Sequence, residues 1–130
     1  MAYYIAKTVS GSFDSVVADV TARLKSLGFG ILSDIDVQAT LKTKIGADMS
    51  KYRILGACNP RFAREALKLD DKLDVLQPCE VIVRETSDDR IEVAAVDPLS
   101  SMERTGNPGL RATAEVVHAL LSHAISAVGT

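Results

Sequence analysis

No apolar run in this chain approaches the ~20 residues that a membrane-spanning helix needs. The first seven residues, Met-Ala-Tyr-Tyr-Ile-Ala-Lys, lack the charged, apolar and small-residue order of a signal peptide. The expected location is therefore cytoplasmic, with no membrane contact. There are only 2 cysteines, too few for a disulfide framework. In a reducing compartment they serve as thiols, metal ligands or transient redox groups. Basic residues are not in excess, with 15 Lys and Arg against 17 Asp and Glu. The charges are also mixed along the chain, so neither a nucleic-acid footprint nor an acidic tail is expected. No Ser-His-Asp order with a nucleophile elbow and no Cys-x-x-Cys motif is present. Gly28-Phe29-Gly30 lacks a third glycine and precedes a strand, which removes it as a phosphate loop. No catalytic set is complete, and no cofactor is named.

What is present suits an ordinary globular domain. The 130 residues, 47 % of them apolar, amount to one domain able to bury a core without staples. A short strand is predicted over residues 2–8, broken by Ser10-Gly11-Ser12. Ser12 is a good N-cap, and Asp14 sits in the first turn where the helix dipole favours it. Phe13, Val17, Val20, Leu24 and Leu27 then form one stripe of an amphipathic helix, and Gly28 fits the left-handed position after it. A strand follows over residues 29–35. Asp36 caps a short helix with the face Val37, Leu41 and Ile45, stopped by Gly46; a strand continued to Leu41 is the alternative.

The stretch 51–79 organises the rest. Tyr52–Cys58 reads as a central strand, with Tyr52, Ile54 and Cys58 on one face and Leu55 and Ala57 on the other. Gly56 within it marks a bulge or a close approach. Asn59 caps the next helix and Pro60 takes its first position; Phe62, Ala63, Ala66 and Leu67 form its buried face. Residues 70–77 read as a loop. A hairpin over 80–85 and 90–96 turns at Ser87-Asp88-Asp89, and Asp97-Pro98 ends it. Residues 99–106 read as a loop with at most a helical turn near Met102. Asn107-Pro108 repeats the Asn59-Pro60 device. The last helix buries Leu110, Ala114, Val117, Leu121, Ala124 and Val128. Its apolar width extends to Val116, Ala119, Leu120 and Ala127, which means either deep burial or a second packing surface. Strands and helices without strict alternation indicate α+β.

Tyr52-Arg-Ile-Leu-Gly-Ala-Cys-Asn-Pro60, Leu76-Gln-Pro-Cys79, Val96-Asp-Pro98 and Gly106-Asn-Pro108 resemble the domain of unknown function 302 family over nearly the whole chain. The segment from Gly28-Phe-Gly-Ile-Leu to Asp36-Val37 is similar too. The resemblance implies a two-layer α+β domain, similar to the TATA-box-binding-protein-like fold. Its sheet would be mainly antiparallel, with helices on one face, and the chain a homodimer. It implies no activity, and fold similarity alone is no argument for DNA binding.

Cys58 is the sharpest candidate for chemistry. It precedes Asn59-Pro60, so its thiol lies near a helix N-terminus, where partial positive charge favours thiolate. Against this, cysteine often only fills buried space. If the strands ending at Cys58 and starting at Cys79 are antiparallel neighbours, the two thiols share one end of the sheet, within ~10 Å but too far apart for a settled disulfide. A parallel crossover would separate them. His118 and His123 lie about 140° apart around a helix and cannot share a metal as an i, i+4 pair does. Asp36, Lys42 and Lys44 either line a pocket for a polar ligand or form a solvated helix face. Three readings follow. The leading one is a non-catalytic small-molecule binding or sensing domain with a pocket near Cys58, using Cys58, Asn59, Cys79, Asp36 and Lys44. The second is a thiol-redox or metal-binding protein using Cys58 and Cys79. The third is a structural dimer module.

Overall fold

A computed structural model describes residues 2–72 and 80–129. Five strands, β1 (Tyr4–Val9), β2 (Gly30–Asp36), β3 (Tyr52–Cys58), β4 (Glu80–Glu85) and β5 (Ile91–Val96), form one sheet in the order β1-β5-β4-β3-β2. Every neighbouring pair is antiparallel. The helices are α1 (Phe13–Ser26), α2 (Val37–Ile45), α3 (Pro60–Leu69), α4 (Pro98–Thr105) and α5 (Arg111–Ala127), with a 3₁₀ turn at Pro108–Leu110. This is the expected α+β architecture. No described helix is long and apolar enough to cross a membrane.

Local chemistry sets the boundaries. The Ser12 hydroxyl accepts from the Ser15 amide, and the Asp36 carboxylate from that of Ala39, which satisfies orphan donors at two helix starts. Asp36 thus starts a helix rather than a continued strand. Gly46, at φ 66°, closes α2 in the left-handed region, where a Cβ is unfavourable. One face of α1 buries Phe13, Val16, Val20 and Leu24 against the inner face of the sheet. That sheet face presents Leu55 and Ala57 from β3, Val81 and Val83 from β4, and Val93 and Ala95 from β5, all buried. α5 completes the layer with Val117, Leu121, Ala124 and Ile125.

Two expectations need correction. Residues 98–105 are a helix, not a loop, because Asp97 and Pro98 form the same start signal as Asn59-Pro60; the Asp97 carboxylate accepts from the Leu99 amide. α2 lies on the surface and buries none of its side chains, with Ile45 73 % exposed. The apolar breadth of α5 is used only in part within the chain: the helix packs on α1, α3, α4, β1 and β5, and Leu120 and Ala127 are half-buried while Val116 and Ala119 stay exposed.

Gly56 marks a close approach, as expected. It pairs with Ser33, immediately after the irregularity between Ile31 and Ser33 in β2. A Cβ on Gly56 would overlap the Ser33 hydroxyl oxygen, with the Ser33 Cβ at an ordinary 3.5 Å. Gly56→Ala is therefore expected to destabilise the fold by about 1–3 kcal/mol. Adding Ser33→Ala should recover most of that loss in denaturant titrations. Simple additivity of the two changes would refute the overlap.

Candidate functional site

Three strand ends meet at one edge of the sheet: Cys58 closes β3, Glu80 opens β4 and Val96 closes β5. From two of them the chain turns straight into a helix through an X-Pro step, Asn59-Pro60 into α3 and Asp97-Pro98 into α4. Proline supplies no amide and has a pre-set φ, so it suits a first helical position. The two helices and α5 lean away from the strand ends and enclose a cavity of about 310 Å³.

The apolar wall comes largely from α3. Phe62, Ala63, Ala66 and Leu67, its expected buried face, all line the cavity. Only Ala66 is fully buried, and Leu67 is 40 % exposed. The stripe that sequence pattern assigns to the core borders a void instead. Met102 of α4, Leu110, and Ala114 and Val117 of α5 form the opposite wall, and Phe29 and Ala57 add the sheet side. Ala66, Met102, Leu110 and Ala114 are a small core cluster separate from the main one. The polar groups on the lining are few: Ser33, Cys58, Asn59, Glu80, Ser101 and Thr113.

Two asparagines fasten α3. Asn59 holds the cap position, but its side chain makes no cap hydrogen bond, contrary to the expected role. Its backbone carbonyl accepts from Phe62 and Ala63, which releases the side chain. Asn59 Nδ2 instead donates to the Leu27 carbonyl at 3.3 Å, one of the orphan acceptors after α1. Asn107 does both jobs: Oδ1 accepts from the Gly109 amide at 2.9 Å, and Nδ2 donates to the Leu69 carbonyl at 3.0 Å. The helix that walls the cavity is thus tied at its start to the end of α1 and at its end to the 3₁₀ turn.

The structure brings Cys58 and Asn59 together on the cavity. Asp36 and Lys44 do not line it. Asp36 pairs with Arg53 and Gly30 with Cys58, so Asp36 and Cys58 sit five residues apart along β3, about 16 Å. Lys44 is exposed on α2, while Lys42 meets Asp48 at 2.8 Å. Cys79 lies outside the described residues, as does its expected separation from Cys58. The pairing that underlies that expectation is present: β3 and β4 are antiparallel neighbours, with Glu80 opposite Gly56. Among the described residues no three His, Cys, Asp or Glu side chains gather as a metal site would require.

His118 pairs with Asp97, at 3.0 Å between Nδ1 and Oδ1, a contact that pattern reading missed. Asp97, 7 % exposed, is the buried charged residue of the described chain. The missed signal was Asp97-Pro98 itself, whose likeness to Asn59-Pro60 marks a helix start. At the opposite end of β3, Arg53 forms two hydrogen bonds to Asp34. They hold the Asp34 carboxyl below the ordinary carboxylate range, against the opposing effect of burial, and raise Arg53. Asp19 is lowered first by the hydrogen bond from the Gly129 amide.

A crystal structure of an uncharacterized conserved DUF302 protein from Bacillus stearothermophilus superposes with a TM-score of 0.91 at 22 % identity, over 98 % of this chain and 99 % of that one. This likeness concerns the fold. No curated protein matches the chain. The family model described as "Domain of unknown function DUF302" matches residues 5–128, a span that takes in the sheet from the second residue of β1 onward, both Asn-Pro steps and the whole cavity wall, and the chain belongs to that family.

Proposed function

We propose that the chain binds a small, largely apolar molecule in the cavity between α3, α4 and α5, with Cys58 and Asn59 at its polar end. The observation that supports this is the α3 wall. A helix with a clean apolar face normally buries it, yet here Phe62 and Ala63 remain half-buried and Leu67 exposed around about 310 Å³ of space. Concave, mostly apolar sites with a few polar groups are the usual form of small-molecule pockets, from about 300 Å³ upward. At ~30 Å³ per water-sized group, the cavity holds roughly ten non-hydrogen atoms. For an unoptimised probe of that size, about 0.4–0.5 kcal/mol per atom, or about 4–5 kcal/mol in all, places affinity near 0.1–1 mM.

The test is ligand-observed NMR with substituted benzenes and medium-chain alcohols as probes, on the wild type and on Ala63→Phe. The phenyl ring fills the space from a half-buried wall position. Binding should weaken about tenfold or more, with melting temperature unchanged or raised. Absence of binding by every probe, or equal binding by Ala63→Phe, would refute the reading.

A second reading keeps the thiols. The antiparallel pairing of β3 with β4, Glu80 facing Gly56, supports chemistry shared between Cys58 and Cys79. Titration of thiol reactivity against pH separates the two: rapid labelling of Cys58 below pH 7 favours the thiol reading, and labelling only on unfolding counts against it.

A further inference from the structure

The mouth of the cavity carries two leucines from different elements. Leu67 of α3 is 40 % exposed and Leu32 of β2 is 77 % exposed, yet both line the cavity, so both stand where it meets solvent. Leu32 is there because of the irregularity in β2. Ile31 pairs with Ala57, and Ser33 with Gly56, the residue next to Ala57. Leu32 is therefore the extra residue of a bulge, a device that turns one side chain out of the strand alternation. β2 is an edge strand, and an edge is usually blunted with charge or proline. Here the bulge sets a leucine on the rim of an apolar cavity. A single exposed leucine is ordinary; two on one rim continue the apolar wall outward.

Beyond Leu67 the surface of α3 turns basic. Arg61, Arg64 and Lys68 follow one another at three- and four-residue spacing, so they share one face, and all three are exposed. Arg64 lies three residues before Leu67, and such pairs are neighbours on a helix surface. Lys68 meets Glu65 at 3.4 Å, whereas neither arginine has an ion-pair partner among the described residues. The helix thus carries a surplus of positive charge in a chain of net charge -2. Neither arginine lines the cavity; among the described residues the charged side chain on the lining is Glu80. We infer that the cavity takes a single-chain anionic amphiphile of the alkyl carboxylate class, tail first, with Leu32 and Leu67 on the chain at the mouth and Arg61 and Arg64 on the head outside. This rests on the cavity reading above and names the class of its ligand.

The order of the surfaces carries the assignment: an apolar interior, then leucines at the opening, then guanidinium groups. A carboxylate head inside would lose its hydration and lie near the carboxylate of Glu80, which is costly twice over. Outside, it keeps much of its water and meets arginines, whose planar forks match a carboxylate. An ammonium head outside would instead face like charge. A neutral head would gain nothing from either arginine. At roughly ten non-hydrogen atoms the cavity has room for one alkyl chain of about eight to ten carbons, and not for a two-chain lipid. Ion pairs at exposed positions are weak, so the arginines select the head, while each buried methylene tightens binding about threefold.

The experiment compares octanoate, 1-octanol and octylammonium, one tail with three heads, by ligand-observed NMR on the full chain at low salt, with circular dichroism on every variant. Octanoate should bind about threefold or more tighter than octylammonium. Changing Arg61→Gln and Arg64→Gln together should weaken octanoate about threefold or more and leave 1-octanol unchanged. Added salt should do the same. Leu32→Ser should weaken octanoate and 1-octanol alike, about threefold. All three substitutions are at exposed positions, so the fold should persist. If 1-octanol binds but octanoate does not, or octylammonium binds tightest, this inference falls while the cavity reading stands. It also falls if the double arginine variant holds octanoate as the wild type does, or if Leu32→Ser changes nothing. Failure of all three ligands removes both readings. Binding to anionic phospholipid vesicles without binding of free octanoate would put the basic face on a membrane surface instead and overturn the inference.

Discussion

Replacing Leu121 with alanine is expected to lower the unfolding free energy by about 2–5 kcal/mol. In a domain of this length each kcal/mol moves the melting temperature by roughly 4 °C. Leu121 is fully buried on the inner face of α5, within the cluster that holds Leu24, Val81, Val83 and Val93. Deleting its branched end loses both the transfer free energy and the contacts across the space left behind. Interiors are close-packed, so neighbours on the rigid sheet relax only in part. Val116, five residues earlier on the same helix, is 44 % exposed, and Val116→Ala should change stability by no more than about 0.5 kcal/mol. Thermal and urea unfolding measure both. A loss below about 1 kcal/mol at Leu121 would contradict the placement of α5 against the sheet.

Asp97→Ala is expected to cost about 2–3 kcal/mol, since two helices depend on one buried side chain. The carboxylate caps α4 by accepting from the Leu99 amide at 2.9 Å and accepts from His118 of α5 at 3.0 Å. The Asp97 amide meanwhile donates to the Tyr3 carbonyl at 2.8 Å, just before β1. Alanine removes the cap, worth about 1 kcal/mol, and leaves a half-buried imidazole and a helix start without their acceptor. Asp97→Asn keeps an oxygen in the same place and should retain more than half of the lost stability. Equal losses for the two variants would show that the negative charge, not the acceptor geometry, holds the site together. A negligible loss for alanine would contradict the clasp altogether.

Sequence alone determined most of the local structure, because the signals are short-range. Ser12 and Asp36 mark helix starts through their own side chains, Gly46 marks a helix end through its left-handed backbone, and the stripe Leu110, Ala114, Val117, Leu121, Ala124 and Val128 is a property of helical spacing. The placing of Tyr52–Cys58 and of the hairpin after it followed from alternation and turn residues in the same way. Only the tertiary structure decided what each apolar face meets. The faces of α1 and α3 look alike in pattern, but α1 lies on the sheet whereas α3 is carried off the end of β3 by Pro60 and borders a cavity. Whether Asn59 caps its own helix or holds another depends on the nearby Leu27 carbonyl, 32 residues away in the chain. Asp97 and His118 are 21 residues apart, and their meeting depends on how α5 crosses the end of β5. On the outer face of the sheet Ala6, Ala94, Ile82, Ile54 and Ile35 lie side by side only through strand order and register, since they come from five separate strands and no two of them are neighbours in the chain.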